Sequence, residues 1–545
     1  MQITFLGHAG FLVETAEALV LMDPWLSREG AFASGWMQFP RNHHLAPEVR
    51  ARLEGSCKAR YLYLSHEHKD HYDPAFIATL PRELTVVLAA FRRPVLVDHL
   101  RAQGFERIFL LEDGDVLPIP GGHLRLYLTD SVLNRDSALL VHAEGRTFLN
   151  LNDCKVHDRL ARIAAEDGPI DVFSAQYSGA VWHPICYEYG PEQMAEISRR
   201  KMLGKFEAVA RGITAVHPRV YLTSAGPACF LDPKLFHLNF QEPSIFPRAP
   251  RFFEYLERRL RGLDTRLLEP MPGDVLDVAT AELAPEGSER VDEAHLHGYL
   301  TRYAAAQADL YAARAEQAKG VDPHEVLRRL QHALEEKLTQ LGVPEHPGVP
   351  LYVDLEELPH QYLRVDFALQ LVERMPWVAD IQRYALTVAA ADILPVLDGA
   401  MNWEDFLLSF RIRLSRIPEA YDATLHGFLA LQPEDLRTFA SVVGAPAARE
   451  ERVVVSAGGR RYEVQRFCPH QGADLADAWV EEGHLLVCPR HRWCFDLERG
   501  GRCELNGSSL HAVEVSTPGV VSPPPQAPGQ VQEEPPQGSP QLDVH

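Results

Sequence analysis

The amino-acid sequence predicts a layered α/β domain, followed by a mainly helical region and a small β-rich module near the carboxyl end. A chain of 545 residues is too long for one hydrophobic core, so several domains are expected. Helical apolar spacing marks residues 251–446, and a Cys/His-rich stretch between apolar runs marks residues 451–516. Residues 1–250 instead alternate loops with short β-rich runs, among them ARYLYLS (Ala59–Ser65), LTVVLAA (Leu84–Ala90) and SALLVHA (Ser137–Ala143).

The clearest helix prediction in the middle region is the segment VDPHEVLRRLQHALEEKLTQLG. Asp322, Pro323 and Glu325 fit the N-cap, N1 and N3 positions of a helix start, and Gly342 can end the helix. The apolar residues between them recur at helical spacing: Val326, Leu327, Leu330, Leu334, Leu338 and Leu341. This spacing predicts an amphipathic helix with one buried face.

The segment WEDFLLSFRIRLSR has similar spacing, with Phe406, Phe410 and Leu414 as its apolar residues. It also carries three arginines that could bind a phosphate or carboxylate of a substrate: Arg411, Arg413 and Arg416. We expect them instead to lie on a solvated helix face. Beyond this region, GAPAARE (444–450) is predicted to be a linker, and the Pro-rich residues 517–545 a disordered tail.

The overall charge and the cysteine count narrow the class of protein. A formal net charge of -21 argues against non-specific nucleic-acid binding and against an anionic membrane surface. The opening residues MQITFLGHAGFLVE read as a strand rather than a secretory signal, and no apolar run reaches the length of a membrane span. Eight cysteines are too few for a disulfide scaffold, so we expect a cytoplasmic protein in which clustered Cys and His bind metal.

The carboxyl-terminal module carries the first such cluster. Cys468 and His470 form a Cys-x-His pair, and after 17 residues Cys488 and His491 form a Cys-x-x-His pair. Two thiolates and two imidazoles also suit a structural zinc site. The flanking text, RFCPHQGADL and LLVCPRHRWCFDL, resembles that of Rieske domains. That resemblance implies a [2Fe–2S] cluster with Cys468 and Cys488 on one iron and His470 and His491 on the other, which raises the reduction potential.

Five further residues of this module distinguish it from other Rieske types or have no expected ligand role. Gly472 and Ala473 occupy the first loop where respiratory Rieske proteins have an extra cysteine, so the module is similar to the ferredoxin and oxygenase type. Cys494 and Cys503 are expected to be buried thiols. Arg492 stands where a glycine is usual in this family.

A second metal site is predicted from YLYLSHEHKDHYDP, where His66, His68, Asp70 and His71 follow a strand. Together with the flanks FLGHAGFLVE and LMDPW, this loop resembles the metallo-β-lactamase superfamily over residues 1–240. The resemblance implies an αββα sandwich, with the two histidines of His-x-His on one metal and Asp70 with His71 on another. It also implies that Asp153, after the strand FLNLN, bridges the two metals.

Two ligand positions of that superfamily are not filled by histidine here. Asp130, in LTDSVLNRD, either replaces the third histidine of the first metal or is structural. Ser224, Ala225 and Gly226 stand at the place of the late histidine of the second metal, while His217 precedes the strand. We expect His8 to lie behind the ligands of the metal loop, and His157 and His183 to be structural.

The pairing of these two modules resembles the CMP-N-acetylneuraminic acid hydroxylase family, with the module order reversed. LNLNDC, QYSGAVWHP and SAGPACFLDP carry the local resemblance. It implies a Rieske-coupled monooxygenase with one or two non-haem irons that hydroxylates a small molecule, such as a nucleotide sugar or similar polar metabolite, with O2. The implied electron donor is a ferredoxin, a cytochrome b5-like protein or an NAD(P)H-dependent reductase.

Two alternatives stay open from the sequence. A metal-dependent hydrolase with an accessory Rieske domain would hold zinc in the histidine-rich site. A Rieske electron carrier would have no substrate. Homo-oligomerisation is compatible with each of them.

Overall fold

The computed structural model describes residues 1–287, 289–342, 348–443, 451–469, 473–489, 492–503 and 508–515. The first part of the chain folds into two facing sheets. Their strands are β1 (Gln2–Gly7), β2 (Gly10–Glu14), β3 (Ala18–Met22), β4 (Ala59–Leu64), β5 (Thr85–Ala89), β6 (Ile108–Leu111), β7 (Val116–Ile119), β8 (Gly122–Ser131), β9 (Asn134–Ala143), β10 (Arg146–Asn150), β11 (Val172–Ser174), β12 (Val220–Leu222), β13 (Arg266–Leu268), β14 (Val275–Asp277) and β15 (Glu282–Ala284).

Helices cover the outer face of each sheet. The helices of this part are α1 (Ala46–Gly55), α2 (Pro74–Ile77), α3 (Val95–Ala102), α4 (Leu160–Asp167), α5 (Pro191–Val216) and α6 (Ala249–Arg259). The first sheet has the order β15-β14-β1-β2-β3-β4-β5-β6, and the second has the order β13-β12-β11-β10-β9-β8-β7. Phe11, Val20, Leu139 and Phe148 are fully buried in the core between the sheets. This αββα arrangement confirms the predicted fold class.

The two sheets continue past residue 250, where the sequence placed the end of the domain. Strand β14 pairs with β1 at one sheet edge, and β13 pairs with β12 in the other sheet. Residues as far as Ala284 therefore belong to the sandwich. The unpaired backbone groups of an edge strand can hydrogen-bond to a further strand, even one that is distant in sequence.

Helices predominate in the middle region, as predicted, and they surround a five-stranded sheet that the sequence did not predict. The helices are α7 (Leu296–Ala306), α8 (Ala308–Ala318), α9 (Pro323–Leu341), α10 (Ala390–Leu397), α11 (Trp403–Leu408), α12 (Ala423–Ala430) and α13 (Pro433–Val443). The strands are β16 (Leu351–Leu355), β17 (Tyr362–Asp366), β18 (Leu371–Met375), β19 (Arg383–Val388) and β20 (Ile412–Ile417), in the order β18-β17-β16-β19-β20.

Helix α9 forms as its sequence predicts. The Asp322 side chain caps it by accepting from the backbone N–H of His324, and Gly342 follows its last residue with a φ of 70°. All six predicted apolar positions are buried, because α9 packs them against the five-stranded sheet. In the described residues, none of the helices combines the length and the apolar character needed to cross a membrane.

The prediction of a helix through SFRIRLSR is wrong. Helix α11 ends at Leu408, Phe410 adopts a φ of 60°, and residues 412–417 form strand β20 paired with β19. The expectation that its arginines are solvated is wrong for two of the three. Arg411 is buried and its Nε lies 2.9 Å from the Asp232 carboxylate, and Arg416 is buried against Glu419.

Removing Arg411 is expected to destabilise the fold, because the Asp232 carboxylate would remain buried without its partner. Arg411→Met should lower the free energy of unfolding by about 3–5 kcal/mol. Arg413→Met, which removes a guanidinium that is 56% exposed, should change it by no more than about 0.5 kcal/mol. Urea unfolding of both variants tests the difference, and equal effects would contradict the buried pair.

The carboxyl-terminal module consists of two small sheets, one of three strands and one of four. A compact core that includes Val464, Leu486 and Phe495 joins them. The predicted linker 444–450 and the predicted tail 517–545 lie outside the described residues. The strands are β21 (Arg452–Ala457), β22 (Arg460–Gln465), β23 (Trp479–Glu481), β24 (Leu485–Val487), β25 (Cys494–Asp496), β26 (Arg502–Cys503) and β27 (Val513–Glu514).

Candidate metal centres

The histidine-rich loop leaves the carboxyl end of β4 and is fixed at both ends. His68 accepts backbone hydrogen bonds from His71 and Tyr72, at 3.0 and 2.7 Å. Asp73 then caps α2 by accepting from the backbone N–H of Phe76, as the Asp-Pro pair predicts. The same Asp73 carboxylate accepts from the backbone N–H of Leu26 and Ser27, so it ties the loop to the segment after β3.

The loop brings several predicted ligands together with residues from distant segments. His71 Nε2 lies 3.6 Å from Asp153 Oδ1 and 3.9 Å from Asp70 Oδ2. The donor atoms form two overlapping groups, His8 with Asp70 and His71, and His66 with His71 and Asp153. Within each group they lie within 4.8 Å of one another. Two overlapping groups with a shared histidine are an arrangement that can hold one or two metal ions.

Three of these donor atoms are buried without a hydrogen-bond partner: His71 Nε2, Asp70 Oδ1 and Asp153 Oδ1. Buried polar atoms are normally satisfied, and each exception is costly unless something else binds it. Imidazole and carboxylate are the ligands that Fe²⁺ and Zn²⁺ accept. The unsatisfied atoms therefore fit a divalent cation.

The charges around the cluster also suit a cation. Burial alone would lower the pKa of His71, but Asp70, a hydrogen bond with Asp23, and Asp153 together raise that pKa to about 10. Burial alone would raise the pKa of Asp70, but His71, a hydrogen bond from His8, and His68 hold it below its ordinary value. Without metal the chain thus keeps a proton on His71, which a bound cation would displace.

His8 belongs to this cluster, although the sequence placed it behind the ligands. Its Nε2 lies 3.1 Å from Asp70 Oδ2, and its backbone carbonyl accepts from the Ala225 N–H at 2.9 Å. The segment that lacks the late histidine therefore packs against His8. The φ angles of His8 and Ala225 are 50° and 44°, so both residues adopt the left-handed conformation that non-glycine residues avoid.

Asp23 orients His71, a role that the sequence analysis did not assign. Its Oδ2 lies 2.9 Å from His71 Nδ1, and Ser65 holds the carboxylate through its hydroxyl and its backbone N–H, at 2.6 and 2.8 Å. A carboxylate on the outer nitrogen fixes the tautomer of a metal-binding histidine. Asp23, in the LMDPW segment, directly follows β3, and β3 runs parallel to β4, so the residues after both strands meet at one sheet edge.

Replacing Asp23 with asparagine is expected to weaken metal binding by about 10- to 100-fold, because His71 would lose its orienting carboxylate. Competition of Zn²⁺ or Fe²⁺ against a chelator measures the change. Asp264→Asn, at an exposed carboxylate, should leave the affinity at the wild-type value. Equal affinities for wild type and Asp23→Asn would contradict the role of Asp23.

Asp130 does not replace the missing third histidine. Its carboxylate accepts from the backbone N–H of Arg92 at 3.0 Å, beside the turn of the β8–β9 hairpin. Asp136, on β9, is the residue that reaches the site, with its Oδ1 3.2 Å from His66 Nδ1. The hairpin pairs β8 with β9 as far as Ser131 and Asn134, so a carboxylate near its tip points away from the sheet edge that carries the metal loop.

His68 points away from the two three-residue groups toward the middle region. Its Nδ1 lies 2.9 Å from His66 Nε2, and its Nε2 lies 3.4 Å from Glu404 of α11. Burial would lower the pKa of His68, but its charge interaction and hydrogen bond with Glu404 raise that pKa to about 10. His183, whose Nε2 lies 3.0 Å from the Tyr189 hydroxyl, is outside both groups.

In the Rieske module, Cys468 and Cys488 are buried at the ends of two loops. The backbone N–H of Cys468 donates to Ala473, and that of Cys488 donates to Trp493, each at 2.9 Å. His470 and His491 lie outside the described residues. The two buried thiols at loop ends fit the cysteine half of the predicted cluster site.

The conformation of Arg492 explains why a glycine is usual there. Its φ is 56°, which favours glycine, and its guanidinium donates to the Glu481 carboxylate at 2.9 Å. Cys503 is fully buried, and Cys494 is half-buried with a pKa that burial raises to about 11. Cys503 is therefore buried as predicted, whereas Cys494 is only partly buried.

Residues 404–426 of the middle region contact both the histidine-rich loop and the carboxyl-terminal module. On one side Glu404 of α11 contacts His68 of the metal loop. On the other, the ring of Tyr421 lies 5.3 Å from that of Trp493 in the Rieske module and 5.6 Å from that of His426 on α12, measured between centroids. Helices α11 and α12 pack against each other, so the two centres are joined through one short packed segment.

Comparison with known proteins agrees with this two-centre architecture. A family model described as the Rieske [2Fe-2S] domain matches residues 428–514, and one described as a beta-lactamase superfamily domain matches residues 2–196. The chain is 25% identical over 305 residues to the cytidine monophosphate-N-acetylneuraminic acid hydroxylase of Mus musculus. That alignment covers 54% of this chain and 50% of the mouse protein.

Some solved structures match about half of the chain, at low identity and low TM-score. One is CmlA, a diiron beta-hydroxylase from Streptomyces venezuelae, at 14% identity and a TM-score of 0.32, over 49% of this chain and 52% of that one. Another is an isothiocyanate hydrolase from Delia radicum gut bacteria, at 16% identity and a TM-score of 0.34, over 51% of this chain and 98% of that one. Similarity at this level bears on neither the metal nor the reaction.

Full-length relatives occur in mycobacteria. The chain is 31% identical over 525 residues to a putative Rieske 2Fe-2S iron-sulfur protein of Mycobacterium tuberculosis (strain ATCC 25618 / H37Rv). That alignment covers 92% of this chain and 98% of the relative. A putative Rieske 2Fe-2S iron-sulfur protein of Mycolicibacterium smegmatis is 30% identical over 524 residues, with the same coverage. This chain therefore belongs to the family of these Rieske 2Fe-2S iron-sulfur proteins, and in this chain a metallo-β-lactamase-fold domain precedes a carboxyl-terminal Rieske [2Fe–2S] domain.

Proposed function

We propose that this protein is a Rieske-coupled non-haem iron monooxygenase that hydroxylates a small-molecule substrate with O2. The observation that carries the proposal is the packing of the metal cluster and the Rieske module on the same segment, residues 404–426. Electron transfer between two centres requires that they lie close together. The contacts from Glu404 to His68 and from Tyr421 to Trp493, within one chain, support that proximity.

Iron suits this site better than zinc does. Histidines and carboxylates with open coordination positions are typical ligands of non-haem Fe²⁺, whereas Zn²⁺ has no redox chemistry. Beside a zinc site the Rieske cluster would have nothing to reduce. When bound, the cluster would supply two electrons one at a time and the iron would activate O2, so that one oxygen atom enters a C–H bond and the other, with two protons, leaves as water.

The side chains have separable roles in this proposal. His66, His71 and Asp153, with Asp70 and His8, hold one or two irons, while His68 contacts the segment that leads to the Rieske module. Asp23 and Ser65 fix the ring of His71. Burial of the donors keeps bulk water from the metal and strengthens every charge interaction there.

The substrate and the electron donor are named by class. The mouse relative is named for a sugar nucleotide, so a nucleotide sugar or similar polar metabolite is the proposed substrate class. The chain spans half of that relative's length, and its activity does not transfer directly. We propose a ferredoxin, a cytochrome b5-like protein or an NAD(P)H-dependent reductase in the cytoplasm as the electron donor.

Anaerobic purification, followed by iron, zinc and sulfide counting and by EPR before and after dithionite, tests the proposal. We expect iron beyond that of the cluster, a reducible Rieske signal, and O2 uptake that depends on reductant. Zinc in place of the additional iron, with turnover in the absence of reductant, would instead establish a hydrolase. A reducible cluster with no second metal would establish an electron carrier.

A further inference from the structure

Two lysines of helix α5 lie beside the candidate metal centre without an acidic partner. Lys205 Nζ donates to the Gln176 side-chain carbonyl, and the Gln176 amide donates to Asp153. Lys201 Nζ donates to the backbone carbonyl of His183 at 2.9 Å. Among the described residues, neither ammonium group has a carboxylate oxygen within the 4.0 Å of an ion pair. Both hydrogen bonds are made to neutral oxygens, so neither ammonium group forms an ion pair, and the charges of Asp153 and Asp136 act on Lys205 only at longer range.

The helix itself places the two charges together. Lys201 and Lys205 are four residues apart on α5, so they share one face of the helix. An adjacent face, with Met202, Phe206 and Val209, is buried against the second sheet. The lysines are therefore held at fixed positions rather than on a solvated surface.

Burial and neighbouring cations act on both lysines in the same direction. Burial, Arg416, Lys205 and Lys155 lower the pKa of Lys201 to about 7. Burial and Lys155 lower the pKa of Lys205 to about 8, although Asp153 opposes the shift. The shifts show that several basic groups lie close together here, within a chain whose formal net charge is -21.

The pKa values of two nearby histidines are lowered by burial and by the same basic groups. Burial, followed by Lys205 and Lys155, lowers the pKa of His157 to about 4. Burial, followed by Lys201 and Arg416, lowers the pKa of His183 well below its ordinary value. These rings remain neutral at pH 7, so they can face an anion as hydrogen-bond donors without adding charge.

Keeping two partly buried ammonium groups unpaired costs stability, because desolvation and like-charge repulsion both disfavour them. The chain contains 75 acidic residues, so carboxylates that could have paired with these lysines are plentiful in the sequence. Sites of this kind, with perturbed charges that no structural partner explains, are typical of ligand binding. An anionic group placed between the lysines would supply the missing partner.

We propose that Lys201 and Lys205 form an anion site, which holds a carboxylate or phosphate group of the substrate beside the Asp153 end of the metal centre. That the bound molecule is a substrate rests on the proposed function, whereas the anion site itself does not. Lysine serves such groups as a point charge, and the pair would hold the substrate through its anionic group while a remote C–H bond faces the metal.

The test uses the full-length protein as purified, with inorganic phosphate and acetate as probes at constant ionic strength. Lys201→Gln and Lys205→Gln each remove one charge and retain an N–H donor for His183 or Gln176. We expect saturable binding of one or both probes to wild type by calorimetry, and binding weakened about tenfold or more in each variant. Arg199→Gln, at an exposed arginine on the same helix, should bind as wild type does.

Stability without any anion gives a second measurement. Because each substitution removes an unpaired charge, Lys201→Gln and Lys205→Gln should melt at or above the wild-type temperature in probe-free buffer. Lower melting temperatures together with unchanged probe affinity would assign the lysines a purely structural role and overturn the proposal. Phosphate binding that both variants retain would locate the anion on the metal and would overturn it equally.

The two probes and the metal analysis separate the remaining possibilities. Tighter binding of phosphate indicates a phosphoryl group, and tighter binding of acetate indicates a carboxylate. No saturable binding of either probe to wild type would refute the anion site. If the wild-type protein has no iron beyond that of the cluster, or no reductant-dependent O2 uptake, the oxygenase proposal is refuted. The anion-site proposal is not affected by that result, because probe binding is measured without turnover.

Discussion

Cys488→Ser is expected to abolish the Rieske EPR signal and, with it, reductant-dependent O2 uptake. Cys488 is fully buried at a loop end, and a serine hydroxyl cannot replace a thiolate ligand of the cluster. The metal at the histidine-rich site should remain, because that site lies on the sandwich and shares no ligand with the module. EPR after dithionite and metal counting on the same sample measure both effects.

Cys57→Ser is the matched control for this experiment, since Cys57 is an exposed cysteine of the sandwich. It should retain the EPR signal and O2 uptake at wild-type levels. Reductant-driven uptake that persists in Cys488→Ser would show that electrons reach the second site without the cluster. The coupling between the two centres would then be wrong, even if both metals are present.

Local sequence patterns were sufficient to predict those elements whose signals lie within one short segment. The metal loop follows β4 as predicted, because a strand ending in ligand residues and then Asp-Pro carries its own boundaries. Helix α9 forms between its predicted cap and Gly342. In both cases the residues that start, bury and end the element are adjacent in sequence.

Strand β20 shows where prediction from local sequence patterns fails. Phe406, Phe410 and Leu414 are four residues apart, which fits a helix, but Phe410, Ile412 and Leu414 are also two apart, which fits a strand. A spacing of four satisfies both periods. The pairing with β19, a strand outside this segment, decides between the helix and the strand.

The surroundings of the metal were predicted least well, because they are assembled from segments distant in sequence. Asp23 reaches His71 since β3 and β4 are parallel neighbours, and Asp136 reaches His66 from the second sheet. Glu404 approaches His68 from the middle region. Asp23 lies in the LMDPW flank but has no ligand spacing, and Asp136 and Glu404 have no spacing that distinguishes them from other acids.

His71→Gln is expected to remove metal from the histidine-rich site. The loss of metal affinity should exceed the loss of about 10- to 100-fold expected for Asp23→Asn, which removes only the orienting carboxylate. His71 is the residue shared by both groups of donor atoms, so its loss affects either metal position. Metal counting and chelator competition measure the effect. His332→Gln, at a histidine whose side chain is 83% exposed, should bind metal as wild type does.

The double variant tests how Asp23 acts. If Asp23 serves the metal only by orienting His71, then Asp23→Asn should have little further effect on metal affinity once His71 is glutamine, since residues that act through one another are not additive. The Rieske EPR signal should persist in all three variants, because Cys468 and Cys488 are untouched. A full additional loss in the double variant would mean that Asp23 contributes to metal binding by a route that does not pass through His71.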